Sequence, residues 1–345
     1  MEITKTFGCT TNTGGKMRKA VLYLVMGILF SPPLLSAQNL IWFKGNTHCH
    51  TTNSDGDETP QNVVKWYKNH GYHFLVITDH NVLTDIKPLD TDKTDDFLLI
   101  PGEEISDHCD GAPIHLNALN ITDPIEPQHG NSKVETLQNN IDAIIRAGGI
   151  ATINHPNWRW AFTDTEMSQL KHIRLFELYN FSYNCNNFGA GGNPGMEEVW
   201  DRMLSRGILM YGIATDDAHD YRDEFSAKKS NPGTGWIMVR ASELTPRAIL
   251  TALEKGEFYS TIGVLLKNIV VTDKGYTVVI REEDDMKYTT QFIGKNGRIL
   301  KEAFGTTAVY TYQGGELYVR ARIFASSGEF ACTQPVFVNK DDSKR

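Results

Sequence analysis

Cysteine is scarce in this chain, five in 345 residues, at positions 9, 49, 109, 185 and 332. Such scattered thiols make no disulfide scaffold, so the fold must rest on a buried core, and a chain of this length can build a large one, which length alone would spread over two domains. Basic charge is also short, with 34 Lys and Arg against 42 Asp and Glu and a formal net charge of −8. Without residues 1–37, which hold Lys5, Lys16, Arg18 and Lys19 against Glu2, that value becomes −11. So acidic a balance argues against a broad nucleic-acid-binding surface and a stable nucleic-acid complex. An oligonucleotide end entering a small pocket is not excluded.

Other devices are missing too. The apolar run at residues 20–30 is short for a bilayer span. The glycine-rich stretch Gly189-Ala190-Gly191-Gly192-Asn193-Pro194-Gly195 has neither the Lys-Ser/Thr ending of a phosphate loop nor a dinucleotide fingerprint; it reads as a rim loop over a substrate. Asp55-Gly56-Asp57-Glu58 lacks the alternating oxygen ligands and distal Glu of an EF-hand. There is no internal repeat and no long low-complexity tract.

What is present begins with a leader. Met17-Arg18-Lys19 forms a basic start, residues 20–30 an apolar core, and Leu35-Ser36-Ala37 a small-residue end of the kind signal peptidases accept. Residues 1–37 therefore read as an export signal with Met17 as its start. The mature protein is then expected in the periplasm or outside the cell, with no membrane span.

The densest signal follows. His48 and His50 sit one residue apart after the apolar run 40–43, so on an extended backbone both face one side and Cys49 packs behind. Alone, a His-x-His could be a chance surface turn. Here it is joined by Ser54-Asp55-Gly56, Thr78-Asp79-His80, Gly102-Glu103-Glu104-Ile105, Ile114-His115-Leu116, Asn154-His155-Pro156 and Asp216-Asp217-Ala218-His219. Each follows or ends a short apolar run, and in strand–helix barrels the chemistry gathers where strands end. His and carboxylate donors converging in this way suit divalent zinc, manganese or iron alike.

The motifs and their order resemble the PHP family of metal-dependent phosphoesterases, named for polymerase and histidinol phosphatase, over about residues 40–265. The resemblance implies an α/β fold, a distorted (β/α)7 PHP barrel, with two or three divalent ions at its rim. By position, His48, His50, Glu104 and Asp217 would hold one ion. Glu104 would bridge to a second, completed by His115 and His155, while Asp55, His80 and His219 would hold a third. Some family members carry His where this chain has Asp55. Glu103 and Asp216 are the alternative neighbours, but the motif spacing favours Glu104 and Asp217. Arg159 is placed at the pocket as a cation for the leaving oxygen, with a surface arginine packed on Trp158 or Trp160 as the alternative. Glu177 and Asp79 are expected behind the ligands, supporting their imidazoles. His108 is a lesser candidate, and His70, His73, His129 and His172 fall outside the motifs.

Thr59-Pro60 and Thr245-Pro246 predict helix starts. From residue 265 short β-like runs separated by turns predict a small C-terminal β-sandwich without ligands. The expected domains are 38–264 and 265–345. The expected activity is hydrolysis of a small phosphorylated substrate, monoester or diester, by a hydroxide held between divalent ions. The sequence is also similar to an exported branch that includes carbaryl esterases, which keeps carboxylic-ester or carbamate hydrolysis open. A non-catalytic metal-dependent binding protein is the remaining alternative.

Overall fold

The computed structural model describes residues 8, 40–89, 96–222 and 225–338; apart from Gly8, the leader and its Met17 start lie outside the described residues. The strands around the site are β1 (Ile41–Asn46), β2 (Phe74–Ile77), β3 (Leu98–Cys109), β4 (Ala112–Leu119), β5 (Ile150–Ile153), β6 (Leu175–Asn180), β7 (Tyr211–Thr215), β8 (Trp236–Ala241) and β9 (Phe258–Thr261). Between them lie helices α1 (Pro60–Asn69), α2 (Lys133–Arg146), α3 (Asp164–Met167), α4 (Met196–Ser205) and α5 (Pro246–Lys255). There follow β10 (Leu266–Val271), β11 (Gly275–Ile280), β12 (Tyr288–Gly294), β13 (Arg298–Phe304), β14 (Thr307–Thr311), β15 (Tyr318–Ala325), β16 (Phe330–Thr333) and β17 (Val336–Phe337).

The helix starts follow from local chemistry. Thr59 accepts a hydrogen bond from the Asn62 N–H and Thr245 from the Ala248 N–H, and a proline follows each cap, where its missing N–H costs nothing. α5 ends at Gly256, whose φ of 71° lies in the left-handed region. A Cβ there would also sit 2.5 Å from the Tyr211 ring. Among the described residues no helix is long and apolar enough to cross a membrane.

The result is an α/β arrangement around one large mixed sheet, in the order β13-β12-β15-β16-β9-β8-β1-β2-β3-β4-β5-β6-β7. Strand and helix do not alternate regularly. β3 and β4 form an antiparallel hairpin through the turn at Asp110 and Gly111, both with positive φ, and β8 runs antiparallel to β1. Between β2 and β3 the only described helix is the single turn Lys87–Leu89. The far end of the sheet returns to its middle by side-chain bonds. Ser260 on β9 donates to the Gly212 carbonyl on β7, and the Gln334 amide both donates to that carbonyl and accepts from the Gly212 N–H. Gln334 thereby pairs the edge of β7 at Gly212 as a neighbouring strand would.

One core holds Phe74, Val76, Ile100, Ile213, Ile237 and Val239 against Ile249 and Leu253 of α5. Each buried side chain of this size contributes about 1.5–3 kcal/mol. A second core packs α2 and α4 on the strands, through Leu137, Ile141, Val199 and Met203. Cys49 lies buried with Val63, Val64 and Tyr67 of α1, its thiol 3.5 Å from the Val76 carbonyl. All four described cysteines are unpaired.

The C-terminal strands do not stand apart from this sheet. β10, β11 and β14 make a separate three-stranded sheet, but β12, β13, β15 and β16 extend the large one through the β16–β9 pairing. The two layers share a core of Tyr276, Val278, Phe292, Ala308, Val319 and Ile323. On its other face β15 meets α4 through charge. Arg320, 1% exposed, grips Asp201 with two nitrogens at 2.7 and 2.9 Å and Glu197 with a third at 2.8 Å, and the Tyr318 hydroxyl donates to Asp201.

Candidate metal centre

The site lies where the strands of the large sheet deliver polar residues to one place. The chain leaves β1 at Asn46 and stays extended, so that Cys49 bridges to Ala218 beyond β7 while His48 and His50 turn the other way. His80 follows β2 and bridges to Glu104 on β3; His115 lies on β4, and His155 follows β5. Asp55 arrives on the turn after His50. Gly56 is required there, because a Cβ would fall 2.6 Å from the His50 backbone.

Four donor atoms form the tightest group. His48 Nε2 and His50 Nε2 are 3.1 Å apart, each 3.4 Å from Glu104 Oε2, and 3.2 and 3.1 Å from Asp217 Oδ1. Both carboxylate oxygens are buried and face only histidine nitrogens, with His80 Nδ1 2.8 Å from Glu104 Oε2. Two ionised oxygens buried beside two inward-facing imidazole nitrogens would be costly unless a cation completed them. The donor set therefore fits a divalent metal.

The other donors group around the same carboxylate. Glu104 Oε1 lies 3.0 Å from His115 Nδ1 and 3.2 Å from His155 Nε2. Asp55 is 3.3 Å from His219 Nε2, 3.6 Å from His80 Nε2 and 3.6 Å from His50 Nδ1. All nine donor residues read from the sequence thus meet in one place, in groups whose ligand atoms lie within 4.8 Å of one another. Two of them, His155 (φ 26°) and Asp217 (φ 48°), sit in the left-handed region, at a cost of about 1–3 kcal/mol each.

Supporting residues hold these donors. Glu177 uses both oxygens: Oε1 meets His48 Nδ1 and the Thr215 hydroxyl, each at 2.7 Å, and Oε2 accepts from the His155 N–H and the Asn180 amide. That fixes the His48 ring with Nε2 toward the cluster. Asn154 donates to Glu104 Oε1, and His219 Nδ1 faces the Asp217 carbonyl at 2.8 Å. Removing the charge at Glu177 with Glu177→Gln is expected to weaken metal binding and turnover about 10–100-fold. Chelator competition and steady-state rates would measure it, and an unchanged metal affinity would contradict the role.

Asp79 does not touch His80. It accepts from the Thr51 N–H and from the hydroxyls of Thr51, Ser54 and Thr84, so it shapes the turn that carries Asp55. His80 is held instead by Ser106, 2.6 Å from its Nδ1. Asp216 is buried against Asn46, Tyr67, Thr234 and Gly235, away from the donors. Glu103 accepts from the Ile125 N–H, and burial pushes its carboxyl up to about 7. Arg159 is exposed and lies on the Trp158 ring at 5.0 Å, outside the cavity lining, and His108 is likewise exposed.

Charge is balanced tightly here. Burial would push the Glu104 carboxyl up, but His48, His80 and His115 hold it well below the usual range. Asp217 is held down against burial by His48, His50 and His219. Burial lowers imidazoles, yet Glu104 and Asp55 push His80 up to about 10, and Asp55 and Asp217 push His219 up to about 9. Burial and the neighbouring His219 take His50 down to about 4. Without metal, His80 and His219 are thus protonated at neutral pH, whereas a metal needs them neutral. Against burial, Asp217, Glu177 and Glu104 raise His48 as well, and Glu104 raises His155, so loading is expected to expel more than one proton, and affinity rises with pH and falls in acid. Calorimetry in two buffers of different ionisation enthalpy would count them, and equal heats would contradict this.

The cavity over the donors holds about 290 Å³ and is walled by Trp158, by Ser182 to Cys185 and by Asp220 and Ser230. The glycine-rich stretch lies outside this lining, and the Asn157 amide ties it down at the Pro194 carbonyl. The wall residues carry no motif; their only signal is position, after β6 and beside His219. A larger groove of about 740 Å³, lined in part by Lys295, Arg298 and Lys301, lies on the C-terminal strands and gathers no donor set.

No family model and no curated protein matches the chain. Among solved structures, it is similar to a two-domain protein from Bacteroides vulgatus containing a predicted PHP-like metal-dependent phosphoesterase, at 17% identity and a TM-score of 0.48, over 83% of this chain and 90% of that one. It is also similar to a protein from Bifidobacterium adolescentis named for metal-dependent phosphoesterase activity, at 16% identity and a TM-score of 0.39, over 54% and 89%. A third is an amidohydrolase from Chromobacterium violaceum with bound sulfate and no metal, at 15% identity and a TM-score of 0.39, over 55% and 93%. Likenesses this distant assign no activity. One of these similar structures carries the name of the family that this chain's motif order resembles.

Proposed function

We propose that this protein is an exported metal-dependent phosphoesterase that works at the His48–His50–Glu104–Asp217 centre. The observation that carries the reading is the pair of buried carboxylate oxygens on Glu104 and Asp217 converging with the Nε2 atoms of His48 and His50. When bound, divalent ions supply a water of lowered pKa and neutralise charge on a phosphoryl group. The chain's own residues supply position. Glu177 fixes His48 and the His155 backbone, Asn154 and Asn180 steady Glu104 and Asp217, and Asp79 holds the turn bearing Asp55. Trp158 packs edge-on to His155, with ring centroids 5.2 Å apart, and shields that side from water.

Export rests on the leader sequence, and it favours scavenging or removal of a phosphate group outside the cytoplasm over a biosynthetic task. A carboxylic ester is the second reading, favoured by a cavity wall whose described lining outside the donors has no Lys or Arg. Hydrolysis of p-nitrophenyl phosphate, its bis-ester and p-nitrophenyl acetate by manganese-loaded protein separates the two, with His155→Ala as the control. Variant-sensitive cleavage of either phosphate supports the phosphoesterase; variant-sensitive cleavage of the acetate alone moves the assignment to the esterase.

A further inference from the structure

We infer that the site selects phosphodiesters over phosphomonoesters, with Asp220 as the residue that sets the preference. The inference rests on the phosphoesterase reading and deepens it. Outside the donor set, the described cavity wall consists of Trp158, Ser182, Tyr183, Asn184 and Cys185 together with Asp220 and Ser230. Its single carboxylic acid is Asp220, and no described lining residue is Lys or Arg. Two cations close to the wall in sequence point elsewhere: Arg159 is exposed on the Trp158 ring, and Arg222 pairs with Glu58.

Asp220 is built into this wall. Its Oδ2 accepts the Ser230 N–H at 2.7 Å, its own N–H donates to the Ser230 carbonyl at 3.0 Å, and the Asn231 amide donates to its carbonyl. Beside it, the Ser182 and Ser230 hydroxyls are 2.6 Å apart. Asp220 is therefore held in the cavity wall, where no described lining residue is Lys or Arg.

A monoester at neutral pH brings close to two negative charges, a diester one. The extra charge of the monoester meets the like charge of Asp220 across a cavity of about 290 Å³. The second organic group of a diester removes that charge and finds aromatic surface on Trp158 and Tyr183. The wall thus penalises the dianion and accommodates the ester group.

The test uses the metal-loaded full chain and two readouts. Calorimetry compares binding of dimethyl phosphate and methyl phosphate, and kinetics compares kcat/KM for bis(p-nitrophenyl) phosphate and p-nitrophenyl phosphate. The diester is expected to lead by about tenfold or more in both. Asp220→Asn keeps an acceptor for the Ser230 N–H but loses the charge. It should shrink the ratio about fivefold, mainly by improving the monoester, with metal content unchanged. Asn184→Lys, an exposed rim position, should shift the ratio the same way if Asp220→Asn does not fold. Monoester preference in the unsubstituted protein, or a ratio that neither variant moves, would overturn the inference and leave the phosphoesterase standing. Cleavage of p-nitrophenyl acetate with both phosphates untouched would overturn both.

Discussion

Glu104→Gln is expected to strip metal from the centre and to lower turnover by about a thousandfold or more, a loss of several kcal/mol of transition-state stabilisation. No other side chain meets so many of the donors. Its Oε2 faces His48, His50 and His80, and its Oε1 faces His115 and His155. The amide of Gln would put an N–H, or a neutral oxygen, where each group needs an anion. Five imidazoles would then crowd a cluster that has lost its central charge. Metal content and kcat should fall together while far-UV circular dichroism stays native. A variant that kept its metal and its rate would remove Glu104 from the centre.

The second large effect concerns stability. Arg320→Met is expected to cost about 3–5 kcal/mol, because it leaves the buried Asp201 without its counter-charge, while Glu197 keeps only Arg322. Asp201 and Glu197 lie four residues apart on one face of α4, and Arg320 reaches both from β15. Arg320→Lys should recover little, since an ammonium cannot reproduce the two-nitrogen grip on Asp201. For a chain of this size the loss corresponds to a melting temperature lower by on the order of 10 °C. Denaturant unfolding measures it directly. A change below about 1 kcal/mol would show that the α4–β15 seam is not held by this ion cluster.

Most of the donor set was legible in the sequence because each donor ends or interrupts a short apolar run. His48 and His50 needed only the two-residue period of an extended chain, and Asn154-His155-Pro156 stood at the end of β5. The helix starts at Thr59 and Thr245 were legible for the same reason, since a cap is a local event. Residues that act over distance were not. Asp79 sits beside His80 in sequence but serves the turn at residues 51–54. Arg320 looks like an outward strand residue until Asp201, 119 positions away, is placed beside it. Asp220 and Ser182 belong to loops of ordinary polar composition, and only the folded cavity sets them apart. The C-terminal strands read as a separate unit because their texture changes at residue 265, yet the β16–β9 ladder and Arg320 tie them to the rest.

The most direct measurement is metal removal and return. The full chain, stripped with a chelator, is titrated with manganese while bound metal and hydrolysis of bis(p-nitrophenyl) phosphate are followed together, with Glu104→Gln alongside. The account predicts that activity disappears on stripping, returns as the centre fills, and never returns in the variant. Phosphate-ester hydrolysis that survives complete metal removal, or that returns equally in Glu104→Gln, would contradict it.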